Sequence, residues 1–447
     1  MSKGRILLVI PPGAPGTTPN REGAGGLGAV EPTTGGFRYP PHTVAMLAGA
    51  LSQTDYKVIA LDAVALGYDL TYSVRQSLSQ KADLIAVHVS WATRETDRSF
   101  LENLVAQRSS PMPVIALGVS TRHMLAHLEA ADCILEGEPE LALPKLCEAL
   151  LAPDGNVPKR VEARDLAIAC YDRGNLVTDL DALPMPAWRT LSLESYDALS
   201  VWGSRGCPQQ CSWCPYVVAQ GHAYRTRTPA HIVRELGEIV SLRPSRIIFR
   251  DPVFAYSRER VAEICERILQ EPRLRPGKNL RWECESRPEH FDDRLLRLMS
   301  LAGCVAIKVG FETADAPLLT AHHRLLPGET GDEYVNQTSA VARACRRVGI
   351  ACRLFVLVGL PGETEEAVQA TAVAVKAIAP DTLTIKPVIA YPGTAFAGEP
   401  PLDEAETELC QRVLDDVKRA IERHSIRHRS MWYRVRRRLW NVAHRIH

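Results

Sequence analysis

The sequence lacks an excess of charge of either sign. Lys and Arg total 53 and Asp and Glu total 52, so the formal net charge is +1 at pH 7. Nucleic-acid-binding domains usually carry a strongly basic surface, and nothing in this balance predicts a nucleic-acid partner. The sequence also lacks any run of about 18 or more apolar residues, the minimum for a transmembrane helix. We therefore expect no transmembrane segment.

A secretory signal is also not evident in the first residues, MSKGRILLVIPPG. Their apolar run is too short for a signal peptide and no small-residue cleavage site follows it. We interpret Ile6–Ile10 as a buried strand instead and expect a cytoplasmic protein. The 12 cysteines are then thiols or metal ligands rather than a disulfide framework. Seven stand singly in apolar patterns typical of small buried side chains: Cys133, Cys147, Cys265, Cys304, Cys345, Cys352 and Cys410.

Residues 1–152 alternate short apolar runs with amphipathic stretches. This alternation predicts a parallel sheet with helices on both faces, a flavodoxin-like doubly wound domain whose ligand lies at the carboxyl ends of the strands. The predicted strands are Arg5–Ile10, Lys57–Asp62, Leu84–Val89, Val114–Leu117 and Cys133–Leu135. The predicted helices are Thr43–Ser52, Leu70–Gln80, Thr96–Gln107, Arg122–Ala130 and Glu140–Leu151.

A second βα series occupies residues 199–395, after a proline-bearing linker at 153–198 that includes Asp179–Trp188. Six strands with intervening helices predict a partial (β/α)6 barrel, in which working residues lie at strand carboxyl ends. The predicted strands are Leu199–Gly203, Arg246–Arg250, Leu280–Glu285, Ala306–Phe311, Cys352–Leu357 and Leu383–Val388. The helices are Pro229–Ser241, Arg258–Gln270, Asp293–Ala302, Glu333–Val348 and Glu365–Ile378.

Residues 396–447 form a basic C-terminal segment of helical character, in which Trp432 and Trp440 are interleaved with Lys and Arg. A helix whose aromatic residues dock on the barrel explains this pattern. A membrane-surface or nucleic-acid role is the alternative.

The motif SRGCPQQCSWCPY follows the first barrel strand and places Cys207, Cys211 and Cys214 within eight residues. Clustered thiolates select zinc or iron–sulfur centres. A structural zinc site normally needs four ligands, and no fourth cysteine is nearby, although His222 could close a Cys3His site. A [4Fe–4S] cluster held by three thiolates leaves one iron open for a substrate or cofactor.

This C-x3-C-x-aromatic-C spacing resembles the radical S-adenosylmethionine (SAM) superfamily. The resemblance implies that SAM binds the open iron and is split by electron transfer to methionine and a 5′-deoxyadenosyl radical. The residues that it implies for SAM binding are Trp213, Arg250, Asp251, Glu285, Arg287, Glu312, Leu357 and Gly359. The family's usual Gly-Gly-Glu after strand two is replaced here by FRDPVF.

The order of domains and the segment LDALPMPAW resemble the cobalamin-binding class of radical SAM proteins. In that class cobalamin lies between the two domains. The residues that the resemblance implies for cobalamin binding are Pro11, Pro12, Ser90, Trp91, Thr93, Gly118, Ser120, Glu136, Gly137 and Glu138.

Two departures concern the cobalamin site. No D-x-H-x-x-G motif is present, so histidine ligation of the kind seen in other cobalamin proteins is not supported. His42 and His88 are candidate lower ligands, with ordinary packed histidines as the alternative. Val119 replaces the glycine usual after Gly118 and narrows the predicted site for the nucleotide tail.

The resemblance implies methyl transfer to an unactivated carbon of a biosynthetic small molecule or peptide, with a flavodoxin or ferredoxin as reductant. The first alternative is cyclisation, rearrangement or oxidation with the same cofactors. The second is a cobalamin- or metal-binding regulatory module without turnover. A catalytic base cannot be assigned from the sequence.

Overall fold

The structure is a computed structural model that describes residues 3–32, 37–152, 171–173, 176–398, 408, 411–419 and 421. Its contacts define two compact units. The first comprises Met1–Pro208 and Cys214–Pro252, and the second comprises Gln209–Trp213 and Val253–His447. The predicted domain boundaries remain predictions, and most of the predicted C-terminal segment, with Trp432 and Trp440, lies outside the described residues.

The first unit is organised around a six-stranded parallel sheet. Its central strands are largely apolar and buried, because helices cover both faces of the sheet. The strands of this part of the chain are β1 (Gly4–Ile10), β2 (Thr17–Asn20), β3 (Ala29–Pro32), β4 (Tyr56–Asp62), β5 (Leu84–His88), β6 (Val114–Gly118), β7 (Cys133–Glu136) and β8 (Tyr171–Arg173).

The sheet order is β4-β1-β5-β6-β7-β8. This places the second strand of the sheet outside the first and the third on its other side, which is the flavodoxin-like arrangement with its switch point between β1 and β5. The sequence predicted five of these strands; β8 is an additional edge strand. Strands β2 and β3 form a separate antiparallel hairpin within the glycine- and proline-rich stretch after β1.

Some helices of the first unit begin at a side-chain cap. Asp62 accepts a hydrogen bond from the Ala65 amide, and Thr228 caps a helix whose first residue is Pro229, as helix starts favour. The helices are α1 (His42–Leu51), α2 (Ala63–Leu66), α3 (Leu70–Ser79), α4 (Arg94–Gln107), α5 (Ala142–Leu151), α6 (Tyr216–Gln220) and α7 (Pro229–Ser241).

The predicted helix Arg122–Ala130 is wrong. The chain there makes two 3-10 turns, Thr121–His123 and Leu125–His127. Met124, between them, has φ −137° and ψ 24°, which is outside the helical region. The apolar spacing that suggested a helix instead serves to bury Met124 and Leu128 in the core.

Four short strands complete the first unit: β9 (Leu199–Val201), β10 (Ser204–Arg205), β11 (Arg225–Thr226) and β12 (Ile247–Phe249). Strands β9 and β12 pair in parallel. Strands β10 and β11 pair antiparallel and close the loop that carries the three cysteines.

The second unit contains a four-stranded parallel sheet in the order β16-β15-β14-β13. In β15 buried and half-buried residues alternate, so one face packs under helices. The elements are α8 (Arg258–Gln270), β13 (Trp282–Ser286), α9 (Asp293–Leu301), β14 (Cys304–Glu312), α10 (Ala316–Ala321), α11 (Gly331–Val348), β15 (Ala351–Val358), α12 (Glu365–Ile378) and β16 (Thr382–Pro387). Residues 411–419 are also helical.

All six predicted strands of the second βα series are present, each within two residues or so of its expected ends, and the five predicted helices follow the first five strands. Among the described residues, no helix has the length and apolar character needed to cross a membrane.

Candidate functional site: the cysteine loop and the strand ends

The three motif cysteines lie in one loop. Residues 206–224, here called the cysteine loop, run between β10 and β11. Cys207 and Cys211 are buried, Cys214 is half-buried, and none of the three forms a disulfide. The base of the loop is tied by the Cys207 amide, which donates to the Gly221 carbonyl at 3.2 Å.

Within the described residues, no group of three or more His, Cys, Asp or Glu side chains is placed to hold a single metal ion. The zinc alternative through His222 therefore finds no preformed site there. Thiolates that share a four-iron cluster each bind a different iron, so such ligands stand further apart than the ligands of one ion.

Two buried arginines face the Cys211 thiol. Arg287 Nη1 lies 3.7 Å and Arg324 Nη1 lies 3.8 Å from Cys211 Sγ. Arg287 is held by Glu289 and donates through Nη2 to the Arg324 carbonyl at 2.6 Å. Arg324 donates through Nε to the Tyr334 hydroxyl at 2.9 Å. The two guanidinium groups are shielded from solvent and lie beside one sulfur. They create a positively charged environment that would stabilise a thiolate and an anionic cluster bound to it.

Glu312 ends β14 in a strained conformation. Its φ is +65°, a left-handed backbone that a residue other than glycine adopts at a cost and that often marks functional sites. Burial raises the pKa of the Glu312 carboxyl, and Arg324, 3.8 Å away, partly offsets that effect. The carboxyl therefore stands beside the same guanidinium group that faces Cys211.

An apolar surface of the second unit includes two of the predicted SAM-binding residues. Trp213 packs with Leu357 and other side chains on a cluster that contains Leu318, Leu360 and Phe396. The ring of Trp213 meets His322 edge-on with 6.2 Å between centroids. The predicted adenine contacts Trp213 and Leu357 thus share one surface.

Gly359 follows β15 with φ +83°, and its amide donates to Glu363 Oε2 at 2.7 Å. Burial raises the pKa of Glu363 to about 7.

Arg250 and Asp251, at the end of β12, make other contacts in the first unit. Asp251 accepts from the Gly203 amide and the Ser204 hydroxyl, both at 2.7 Å. Arg250 donates to the Glu22 carbonyl at 2.5 Å. Asp251 therefore secures the approach to the cysteine loop. Their predicted contact with SAM remains a prediction, as does that of Glu285, which is close enough to Glu312 to raise its pKa.

The hydroxyl groups predicted for cobalamin binding are hydrogen-bonded within the first unit. Ser90 Oγ lies 2.8 Å from Thr93 Oγ1, which donates to Asp97 Oδ2 at 2.6 Å. Asp97 in turn pairs with buried Arg21. Ser120 Oγ accepts from the Trp91 amide at 3.1 Å.

The remaining predicted cobalamin residues lie at the same carboxyl edge. Pro11 and Pro12 are buried after β1. Gly118 has φ +153°, and a Cβ there would lie 2.5 Å from the Val89 carbonyl, so only glycine fits. Gly137 also has a positive φ, of 89°. Glu136 lies 3.8 Å from Arg122, and Glu138 forms ion pairs with Arg205 and Arg225.

Two cavities open at the carboxyl edge of the first unit's sheet, and His88 lines both. Among the described residues, several buried atoms around them have no hydrogen-bond partner. In one cavity these are Arg21 Nε and Nη1, Asn20 Oδ1 and His88 Nδ1. In the other they are His42 Nε2, Trp202 Nε1 and Gln220 Nε2, together with His88 Nδ1. Buried polar atoms are costly without partners, which points to a ligand with many polar groups.

The surroundings of His42 and His88 disfavour the charged imidazolium form by lowering the pKa of both side chains. Burial, with Arg21 adding to it, lowers the pKa of His88 to about 3. Burial, with Arg227 and Arg205, lowers the pKa of His42 well below its usual range. His42 Nδ1 lies 3.2 Å from both the carbonyl and the hydroxyl of Ser200.

The sequence did not identify Arg21, Glu289, Arg324 or Tyr334. Arg324 lies in the loop between α10 and α11, where no motif marks it. Arg21 lies in a stretch without periodicity, and its partner Asp97 is 76 residues away.

Comparison with known proteins supports the resemblance to radical SAM proteins. Residues 203–374 match the radical SAM superfamily, so the chain contains a radical SAM domain and the predicted resemblance is confirmed. An uncharacterized methyltransferase of Pyrococcus horikoshii is 25% identical over 410 residues, which are 87% of this chain and 82% of that protein. The tryptophan 2-C-methyltransferase of Streptomyces laurentii is 25% identical over 171 residues, 37% of this chain and 28% of the relative.

Among solved structures, the chain is similar to the radical SAM methyltransferase TsrM from Kitasatospora setae, which was solved with cobalamin and a [4Fe–4S] cluster bound. The TM-score is 0.65 at 20% identity, covering 89% of this chain and 74% of TsrM. The predicted fold class, a flavodoxin-like sheet followed by a radical SAM barrel, is confirmed.

Proposed function

We propose that the chain is a cobalamin-dependent radical SAM enzyme that methylates an unactivated carbon of a biosynthetic substrate. The observation that carries the proposal is the cysteine loop of the radical SAM domain, in which two buried guanidinium groups face the Cys211 thiol. Residues 1–152 would bind cobalamin, and residues 199–395 would bind the cluster and SAM.

Cys207, Cys211 and Cys214 would hold a [4Fe–4S] cluster. Three thiolates bring negative charge into a partly buried loop, and burial of such charge is favourable only where compensating groups are fixed nearby. Arg287 and Arg324 provide that compensation at Cys211 because Glu289 and Tyr334 hold them in place.

SAM would bind next to these groups. Trp213 and Leu357 offer an apolar shelf for the adenine, since aromatic and aliphatic side chains bury a base face well. Glu312 and Arg287 supply one acidic and one basic group for the polar parts of SAM. The chain's residues thus bind, orient and exclude water around the reacting groups.

Cobalamin would occupy the carboxyl edge of the first unit's sheet. The two cavities there carry orphaned polar atoms of Arg21, Asn20, His88, His42 and Gln220, which suit a cofactor rich in amide groups. When bound, the cluster would supply the electron for reductive SAM cleavage and cobalamin would supply the methyl group. A flavodoxin or ferredoxin would deliver the electron.

Carbon as the methyl acceptor rests on the relatives, of which one is a tryptophan 2-C-methyltransferase and another is named as a methyltransferase. The substrate itself, a small molecule or a peptide, is to be found by screening.

The test is the cofactor content and SAM chemistry of protein purified without oxygen. We expect about four irons and one corrinoid per chain and SAM cleavage that requires a reductant, with iron lost in Cys207→Ala. Cys265→Ala is the matched control, because Cys265 is a buried thiol outside the loop.

Three results would contradict the proposal in different ways. Zinc in place of iron would leave a structural metal site. Iron without corrinoid, even after cobalamin is offered, would remove the methyl carrier. Cofactor binding without SAM cleavage would favour a regulatory module.

A further inference from the structure

Both ends of the cysteine loop carry an arginine. Arg205 precedes the loop and Arg225 follows it, and the two residues are directly paired across β10 and β11. Their side chains are buried, with 6% and 8% exposure. Two buried cations that lie side by side need anionic partners, because unpaired buried charge is strongly destabilising.

Glu138 supplies this compensation from the loop after β7. Its Oε1 accepts from Arg225 Nη2 at 2.7 Å, and its Oε2 accepts from Arg225 Nη1 at 2.8 Å. Arg205 Nη1 lies 3.2 Å from the same Oε2. Glu140 binds the other end of the Arg205 guanidinium at 2.5 Å.

The Glu138 carboxylate has little capacity left for a ligand. The Val177 amide also donates to Oε2, at 2.6 Å, so three donors meet Oε2 and one meets Oε1, which leaves one of about four acceptor sites. Burial alone favours the protonated form, but Arg205 and Arg225 outweigh it and lower the pKa of Glu138. The group is therefore a fixed anion between two fixed cations.

We propose that Glu138, which also lines one of the two cavities at the sheet edge, is a positioning residue that clamps the two ends of the cysteine loop. By fixing Arg205 and Arg225 it sets the geometry from which Cys207 and Cys214 project. The inference rests on the proposed function for its cluster, but the clamp itself acts on the polypeptide. A carboxylate of the flavodoxin-like sheet thereby determines how firmly the radical SAM motif is held.

The experiment compares Glu138→Gln with Glu235→Gln. Glu235 is a matched control because it is equally buried and pairs with buried Arg227, yet it does not contact Arg205 or Arg225. In Glu138→Gln we expect iron to be lost to a chelator about tenfold faster, the lower end of what outer partners of metal ligands contribute. Glu235→Gln should retain iron at the wild-type rate after both variants are matched for folded fraction.

The reduction potential of the cluster provides a readout that simple destabilisation would not change. Neutral glutamine leaves Arg205 and Arg225 with one fewer anion, and added positive charge stabilises the reduced, more negative cluster. The potential should shift to more positive values, measured by electron paramagnetic resonance during a redox titration. In Glu138→Gln/Arg225→Gln the charge is balanced again, and the potential should return towards the wild-type value.

The outcomes separate the two proposals. If the wild type binds no iron, the proposed function fails and hydrogen exchange still tests the clamp, because amides of residues 206–224 should exchange faster in Glu138→Gln than in Glu235→Gln. If the wild type binds a cluster and Glu138→Gln matches Glu235→Gln in iron loss, potential and exchange, the clamp alone is refuted. Glu140→Gln replaces this variant if Glu138→Gln fails to fold, and it affects only Arg205. It is expected to show the same changes at smaller size. Unchanged amide exchange of residues 206–224 in Glu140→Gln would refute the clamp.

Discussion

Replacing Arg324 by methionine should be far more damaging than its position in a loop suggests. The side chain is buried, donates to the Tyr334 hydroxyl and the Gly310 carbonyl, and lies beside Glu312 and Cys211. Methionine keeps most of the aliphatic stem but removes every donor and the charge. The variant leaves the Glu312 carboxyl buried without its main cation.

The expected cost follows from that environment. Breaking a buried ion pair on one side costs about 3–5 kcal/mol. Because burial already raises the pKa of Glu312, the orphaned carboxyl can take up a proton and limit the loss, so we expect about 3 kcal/mol at pH 7. Arg324 lowers the pKa of Glu312 in the wild type, so its removal raises that pKa further. The cost should therefore be smaller at pH 5, where protonation of Glu312 is easier, than at pH 8.

The assay is chemical unfolding of metal-free protein at pH 5 and pH 8, with Arg347→Met as the control. Arg347 donates to both oxygens of Asp293 but on the surface, with 58% and 67% of the two side chains exposed. Exposed pairs contribute about 1 kcal/mol or less. Equal losses for the two variants, or a loss for Arg324→Met that does not grow with pH, would refute the assignment of Arg324 as a buried partner of Glu312.

Three further predictions test other parts of the site. Between pH 5 and pH 8, Glu363→Gln should gain about 1–2 kcal/mol of stability relative to the wild type, a value discounted for the partial exposure of Glu363. Burial raises the Glu363 pKa to about 7, so the wild type loses stability as pH rises from 4.5 through 7. Melting temperatures of the two proteins that change in parallel across this range would contradict the prediction. Trp213→Ala should weaken SAM binding about 5- to 150-fold by calorimetry, the usual effect of losing a base-stacking aromatic, whereas an unchanged affinity would remove it from the adenine site. Gly26→Ala should destabilise the first unit, since its Cβ would lie 2.4 Å from Val119 Cγ2 at φ +96°. Adding Val119→Gly should recover the steric part of this loss. If the changes in melting temperature of the two single variants simply add in the double variant, the two residues do not interact.

Most of the framework could be predicted because it depends on local patterns. Continuous apolar runs such as Leu84–His88 form buried parallel strands, and the amphipathic stretch Arg258–Gln270 forms a helix with its predicted ends. Residues 122–130, where a helix was predicted and none forms, show where local patterns are insufficient. Apolar residues at helical spacing can also be buried by consecutive 3-10 turns, and the spacing alone does not distinguish the two.

The cysteine motif could be predicted for a similar reason, since three ligands within eight residues are local. The arginines that face Cys211 could not. Arg287 and Arg324 are 76 and 113 residues away from it, and their relation to the thiol arises only when the strands of the second unit are aligned. No composition or spacing rule connects residues at that separation.

The strand-end residues show a subtler limit. The sequence placed Ser90, Thr93, Ser120 and Glu138 at the carboxyl edge of the first sheet, which is where a cofactor would lie. In the structure each of the four is hydrogen-bonded or ion-paired within the protein. A buried hydroxyl or carboxylate must find partners, and the nearest partners are often other residues of the edge rather than a ligand. The better indicators of a ligand are therefore the buried atoms that the fold leaves without partners. At this edge, within the described residues, those atoms belong to arginine, asparagine, histidine, tryptophan and glutamine side chains, of which the sequence indicated only His42 and His88.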